Sequence, residues 1–226
     1  MGYFLGVDLG GTKTHAVIAN STGLAVGFGE AGGGNHQGVG YEGMYQALQA
    51  SVSAALQSAA LSSKDLDAAG FGIAGYDWPS EKDKMIAVID RLGLDVPYEL
   101  VNDTILGLVA GAQDGWGVGV VSGTGCNCRG WDRQHTREGR VTGYGYLMGE
   151  AAGGTELAYR AMQMVGFEWM HRGSKTALTQ IFITYTGAQD IEDLLEGYTE
   201  ERYKVRADVA RLFSEPPVRE MLLLKK

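Results

Sequence analysis

The sequence opens on the same local pattern twice. An apolar run at Tyr3–Leu9 passes through Gly10-Gly11-Thr12-Lys13-Thr14 into a second run, His15–Asn20. Later, Val118–Ser122 passes through Gly123-Thr124-Gly125 into Cys126–Trp131, with a further run at Val141–Leu147. Runs of β-branched and aromatic residues joined by glycine-rich turns predict β-hairpins. Their recurrence at the head of each half is a faint internal repeat. A chain that twice begins on hairpins and continues into helices is constrained to an α/β fold in two halves.

The first half gives the clearer order. Ser21-Thr22-Gly23 turns into a third strand, Leu24–Phe28, and Gly29–Gly40 reads as a glycine-rich loop. Tyr41, Met44, Leu48, Val52, Ala55, Leu56 and Ala59 recur mostly at spacings of three and four, which predicts a long helix. Leu66–Ala74 and Tyr98–Val101 read as strands, and Lys82–Leu92 and Ile105–Ala112 as helices. The order β-β-β-α-β-α-β-α predicts a five-stranded sheet, a meander extended by two parallel strands. The expected division is a ribonuclease H-like lobe over residues 1–112 and a partial C-terminal lobe over 113–226. In the latter, three strands precede helical segments at Leu157–Val165, Thr176–Tyr185, Asp190–Leu195 and Arg206–Phe213.

Charge and composition narrow the function. The net charge is −8, so the chain lacks the positive field that draws nucleic acid or anionic membrane. No stretch approaches the ~20 apolar residues that span a bilayer, and MGYFLGVDLGG has no basic leader. Two cysteines, Cys126 and Cys128, cannot build a disulfide framework. The expectation is a cytoplasmic protein with no nucleic acid or membrane partner. The 35 glycines cluster in tight motifs, which points to close backbone approaches rather than disorder.

Three motifs carry chemistry. In Asp8-Leu9-Gly10-Gly11-Thr12 the glycines let backbone N–H groups face an anion, and Asp8 could hold Mg²⁺ through water; an ordinary hairpin turn is the alternative. Ser122-Gly123-Thr124-Gly125 repeats the device. Neither is a Walker A loop or a dinucleotide fingerprint, because Gly-Lys-Ser/Thr before a helix and G-x-G-x-x-G are both missing. Asn102-Asp103-Thr104 lies where a strand ends and a helix begins. A carboxylate there can take the proton of an attacking hydroxyl, or serve only as a helix cap.

Together D-L-G-G-T at 8–12, N-D-T at 102–104 and S-G-T-G at 122–125 resemble the phosphate-1, connect and phosphate-2 motifs of the actin-like ATPase and sugar kinase superfamily. Asn35-His36 after a glycine run, S-G-T-G-x-N-C-R at 122–129 and G-Y-G-Y-L-M-G-E at 143–150 make the chain similar to the N-acetylglucosamine kinase and BadF/BadG/BcrA/BcrD ATPase family. The resemblance covers residue 3 to about residue 200. It implies the ribonuclease H-like actin-type fold and phosphorylation of an amino sugar, N-acetylglucosamine or glucosamine, at its 6-hydroxyl. ATP with Mg²⁺ would lie between the lobes over Gly10, Gly11, Thr12, Lys13 and Ser122, Gly123, Thr124, Gly125. Asp103 would be the base and Asp8 the metal ligand through water. Asn35, His36, Asn102, Thr124, Gly145 and Glu150 would line the sugar side.

Two departures qualify the resemblance. The family's Gly-Asp-Glu-Gly-Ser reads Gly149-Glu150-Ala151-Ala152-Gly153 here, which changes the acids expected at the sugar. The family's later Gly-Gly adenosine motif does not follow Glu200. That implies a truncated copy or a fragment that binds ATP weakly, with an open edge beside Val118–Ser122 inviting a homodimer. The rival readings are a BadF-type ATPase coupled to a partner protein and a non-catalytic sugar-binding remnant. A related group holds an iron–sulfur cluster on cysteines, but its Gly-Gly-Gln-Asp is missing, and Cys126 and Cys128 read better as buried free thiols.

Overall fold

The computed structural model describes residues 2–141 and 146–214. Its contacts form two compact units, Met1–Val120 with Cys128–Val141, and Val121–Asn127 with Thr142–Lys226.

The first unit begins with β1 (Tyr3–Leu9), β2 (Lys13–Asn20) and β3 (Ala25–Gly32). Helix α1 (His36–Ala59), β4 (Ala68–Ile73), α2 (Lys82–Asp90), β5 (Tyr98–Asn102) and α3 (Asp103–Gly111) follow. The sheet order is β3-β2-β1-β4-β5. The β1–β2 and β2–β3 pairs are antiparallel, and β4 and β5 add in parallel, as the element order predicts. Side chains alternate across a strand, so Leu5, Val7 and Leu9 of β1 share one buried face with Ala16 and Ile18 of β2 and Phe71 and Ile73 of β4. Met44, Leu48, Val52 and Ala55 of α1 and Met85, Val88 and Ile89 of α2 complete this core.

The predicted loop Gly29–Gly40 is a correction. β3 runs on to Gly32 and α1 starts at His36, leaving Gly33–Asn35 as the connection. The glycines of β3 are there for helix packing. A Cβ on Gly27 would lie 2.5 Å from the Ala55 carbonyl oxygen, and one on Gly29 would lie 2.1 Å from that of Ser51. Backbone cannot swing aside as a side chain can. Gly29→Ala is therefore expected to destabilise the protein by about 1–3 kcal/mol, read as a lower urea midpoint at unchanged slope; Gly6→Ala, with nothing within 4 Å of its Cβ, is the neutral control. Inside α1, Gly40 (φ 70°, ψ 172°) separates the first turn from the long helix at Tyr41.

A smaller sheet has the order β6-β7-β8, formed by β6 (Gly117–Ser122), β7 (Cys126–Trp131) and β8 (Glu138–Val141). The third strand was expected at Val141–Leu147; the described third strand is Glu138–Val141, and residues 142–145 of the expected range lie outside the described residues. The Asp132 carboxylate accepts hydrogen bonds from the backbone N–H groups of Thr136 and Arg137, which closes a hairpin over the polar run Asp132–Arg137. Tyr146–Met148 is a single 3-10 turn. β6 is an edge strand, with Val118 and Val120 exposed.

In the second unit, α4 (Gly154–Trp169), α5 (Leu178–Thr186) and α6 (Ile191–Thr199) pack with a 3-10 segment, Ala207–Ser214. The last was expected as an α-helix from Arg206. Ala158, Ala161, Met162, Val165, Phe182, Leu194 and Val209 are its core. Among the described residues, no helix is long and apolar enough to cross a membrane.

Candidate functional site

Parallel pairing puts the carboxyl ends of β1, β4 and β5 in one row, since Leu9 is registered with Ile73 and Ile73 with Asn102. The segments leaving these strands meet at one edge of the sheet, where open α/β sheets bind ligands. They are the Gly10–Thr12 turn, the Ala74–Trp78 loop and the start of α3.

The Gly10 N–H donates to the Lys13 carbonyl at 2.8 Å, and the Gly34 N–H donates to the Gly10 carbonyl at 3.0 Å. A Cβ on Gly33 would sit 2.1 Å from the Gly11 oxygen, so that loop lies directly on the hairpin. Gly11 is different, because a Cβ there would meet nothing within 4 Å. Thr12 is exposed, and Lys13 pairs at 3.7 Å with Glu30. Asp8 faces His15 across the β1–β2 pair; burial raises its carboxyl above the usual range, against the pull of His15.

The connect segment divides two roles. Asn102, 2% exposed, caps α3: its Oδ1 accepts from the Thr104 N–H at 3.0 Å. Its Nδ2 donates to the Tyr76 carbonyl at 3.2 Å. Asp103, the first helical residue, also accepts from the Thr104 N–H, at 2.9 Å. Burial pushes its carboxyl up to about 6. The charges of Asp8 and Asp77 push the same way, while the Thr104 hydrogen bond and Arg129 oppose. Asp8 and Asp103 are thus two carboxylates close enough to repel.

Asn35 caps α1, its Oδ1 accepting from the Gln37 N–H at 2.9 Å. It packs against Gly75, whose φ of +81° and whose Cβ position, 2.5 Å from Asn35 Oδ1, admit only glycine. His36 is held inward. Its ring stacks on Tyr41 at 4.8 Å, its Nε2 lies 3.3 Å from Glu81 Oε1, and its buried Nδ1 has no hydrogen-bond partner among the described residues.

Reading the sequence missed Asp77, and it placed Arg129 only as the last residue of S-G-T-G-x-N-C-R, without its pairing. Arg129, 4% exposed, sends Nη2 to Asp77 Oδ1 at 2.9 Å and to the Tyr76 carbonyl at 3.0 Å, and Nη1 to Glu138 at 2.6 Å. Gln37 Nε2 reaches Asp77 Oδ2 at 3.3 Å, and Arg140 donates to the Asp77 carbonyl. The available signal was an aspartate two residues past the glycine that closes β4, together with an arginine inside a strand.

In the second unit the Ser122–Gly125 hairpin packs on the start of α4. Gly154 N–H donates to the Gly123 carbonyl at 2.8 Å and Thr155 N–H to the Thr124 carbonyl at 2.9 Å. Within each planar peptide the N–H opposes the C=O, so the N–H groups of Thr124 and Gly125 point away from the helix. Gly123 and Gly125 have nothing within 4 Å of their Cβ positions. Ser122 Oγ donates to the Ala152 carbonyl at 2.6 Å. A Cβ on Gly153 would lie 2.5 Å from Gly125 Cα, so the segment that departs from the family pattern supports this turn. Glu150 is buried, 7% exposed. Gly145 lies outside the described residues. Cys126 and Cys128 form no disulfide among the described residues, and they are half-buried rather than buried as expected, because the small sheet leaves β7 partly uncovered.

Taken separately, each unit offers groups that could hold part of a nucleotide. Each hairpin holds glycines whose missing Cβ leaves room for a phosphate oxygen. Asp8 and Asp103 offer hard oxygen donors, and no cluster of three metal-binding side chains exists among the described residues.

The fold is the ribonuclease H-like actin-type α/β fold. A Chromobacterium violaceum structure assigned as an N-acetylglucosamine kinase matches it with a TM-score of 0.70 at 24% identity, over 98% of this chain and 78% of that one. A ROK family glucokinase from Streptomyces griseus, solved with glucose and AMPPNP, matches at 0.51 and 20% identity, over 92% and 73%. The chain belongs to the BadF/BadG/BcrA/BcrD ATPase family, whose profile matches residues 5–214. An N-acetyl-D-glucosamine kinase from Dictyostelium discoideum is 30% identical over 203 residues, which is 85% of this chain and 63% of the relative. An N-acetylmuramic acid/N-acetylglucosamine kinase from Clostridium acetobutylicum is 28% identical over 195 residues, 86% and 63% respectively. The chain therefore spans 63% of the length of each of these two relatives.

Proposed function

We propose that this protein transfers the γ-phosphoryl group of ATP to the 6-hydroxyl of an amino sugar, N-acetylglucosamine or a close relative. The observation that carries the reading is Asp103, a carboxyl held near pH 6 beside a glycine hairpin with room for phosphate. Two relatives that are N-acetylglucosamine kinases support the choice of sugar.

ATP, with Mg²⁺, supplies the phosphoryl group and the charge that neutralises it. The chain's own residues position and deprotonate. Asp103 accepts the hydroxyl proton as the new bond to phosphorus forms, and a value near 6 keeps it ionised at neutral pH yet basic enough to act. In the first unit the Gly10–Thr12 turn would offer the N–H groups of Gly11 and Thr12 to a phosphate, and in the second unit the Ser122–Gly125 turn is a cradle of the same kind. Asp8 would hold the metal through water. Asn35 would contact a sugar hydroxyl, Glu150 is the sugar-side candidate of the second unit, and Asn102 fixes the helix that carries the base.

The test is a coupled ADP-release assay with ATP, with and without Mg²⁺, over a panel of amino sugars, beside calorimetry with sugar and nucleotide separately. Mg²⁺-dependent turnover of N-acetylglucosamine supports the reading. ATP hydrolysis that no sugar stimulates points instead to a partner-coupled ATPase, and sugar binding without turnover to a sugar-binding remnant. Asn35→Ala should weaken sugar binding at least tenfold and nucleotide binding little, while losing the α1 cap at a cost of about 1 kcal/mol. Equal losses for both ligands in calorimetry would assign Asn35 to the fold alone.

A further inference from the structure

We propose that Arg129 is a positioning residue: by gripping Tyr76 and Asp77 it holds the loop after β4 against Asn102, and so sets how the start of α3 presents Asp103. The proposal deepens the kinase reading above and rests on it.

The Tyr76 carbonyl is shared. Arg129 Nη2 reaches it at 3.0 Å and Asn102 Nδ2 at 3.2 Å. Asn102 in turn caps α3 through the Thr104 N–H, one residue past Asp103. A chain of direct hydrogen bonds therefore runs from the guanidinium through one carbonyl and one amide to the helix that carries the base. Asp77 secures the other side of the loop. Its Oδ1 takes Arg129, its Oδ2 takes Gln37, its carbonyl takes Arg140, and its N–H donates to Glu81 at 2.9 Å. Gln37 belongs to the first turn of α1, two residues from Asn35. One buried ion pair thus ties the loop to the starts of both helices at the sheet's carboxyl edge.

Stability alone is a poor reason for such a pair. Both side chains are almost fully buried, 5% and 8% exposed, and replacing a buried ion pair by apolar residues is often neutral or stabilising. Geometry gives a better one. Arg129 uses Nη1 and Nη2 to reach three acceptors, Glu138, Asp77 and the Tyr76 carbonyl. A planar fork can do this and a lysine ammonium cannot. Among the described residues its Nε has no hydrogen-bond partner, so the head group alone does the holding.

The test compares Arg129→Lys with the double variant Asp77→Asn/Arg129→Gln, in the full chain. The Lys variant keeps the charge, and the double variant removes both buried charges, leaving only the partly exposed Glu138 carboxylate without its partner. Two readouts are taken: exchange of the Thr104 amide by NMR, and kcat and KM for sugar and ATP. Arg129→Lys is expected to melt cooperatively yet exchange Thr104 at least tenfold faster, with kcat down at least tenfold and KM for ATP within twofold. Should Arg129→Lys not fold, the double variant is judged by the same criteria. A folded variant with wild-type Thr104 exchange and wild-type kcat overturns the proposal. If the wild-type chain phosphorylates no amino sugar, the kinase reading fails, and Thr104 exchange alone decides for or against positioning.

Discussion

Asp103→Asn is expected to lower phosphoryl transfer by roughly 10²–10⁴-fold, the usual contribution of a general base, while the variant stays folded. The fold should survive because Asn102, not Asp103, carries the principal cap of α3. The pH dependence makes the test sharper. The Asp103 carboxyl titrates near 6, so wild-type kcat should fall as pH drops through that value and lose about tenfold one unit below it. The residual activity of the Asn variant should lack this limb.

Stability should move the other way. The folded value near 6 lies above the ordinary 3.8, so the folded state binds this proton more tightly. The stabilisation is complete below about pH 3.8 and is lost as pH rises to about 6. Above that, the buried charge costs up to about 3 kcal/mol. Asparagine carries no charge to bury. Asp103→Asn should therefore raise the melting temperature at pH 8 and leave it nearly unchanged at pH 4. Near-wild-type turnover, or a variant melting lower at pH 8, would show that Asp103 belongs to the scaffold.

Gly11→Ala separates an anion cradle from an ordinary hairpin. Its Cβ would meet no protein atom within 4 Å, so stability should change by less than about 0.5 kcal/mol. The same methyl would fill the space that a phosphate oxygen needs. ATP and inorganic triphosphate should both bind at least tenfold more weakly, a loss of about 1.4 kcal/mol, and sugar binding should persist. Gly33→Ala is the contrast, because its Cβ would strike the Gly11 and Thr12 backbone and damage fold and binding together. Calorimetry showing wild-type ATP affinity in a folded Gly11→Ala variant would remove the hairpin from the phosphate site.

Much of this was legible along the chain. Alternating apolar residues located β1 and β2, helical spacing located α1 from Tyr41 onward, and strand order predicted the five-stranded sheet. These signals are local: strand and helix periods are set by neighbouring residues within two or three turns. The position of Asp103 at the end of β5 was legible for the same reason. The errors fell where local signals mislead. The glycines of Gly27–Gly32 look like a loop, yet they are a strand whose missing side chains admit α1. Asp132–Arg137 was read past because nothing nearby in sequence announces that one carboxylate will close it as a hairpin turn.

The sequence by itself determined the order of elements, the two glycine hairpins and the acid at a strand end. Only the tertiary structure decided the rest. It paired Arg129 with Asp77 across 52 residues, gave the cap to Asn102 and left Asp103 to be pushed up by burial and by Asp8 and Asp77. It also set the α4 N–H groups under Gly123 and Thr124. The physical reason is range. Backbone propensity and hydrophobic period act between near neighbours, whereas desolvation, charge pairing and the direction of a peptide N–H depend on atoms that the folded chain brings together from afar.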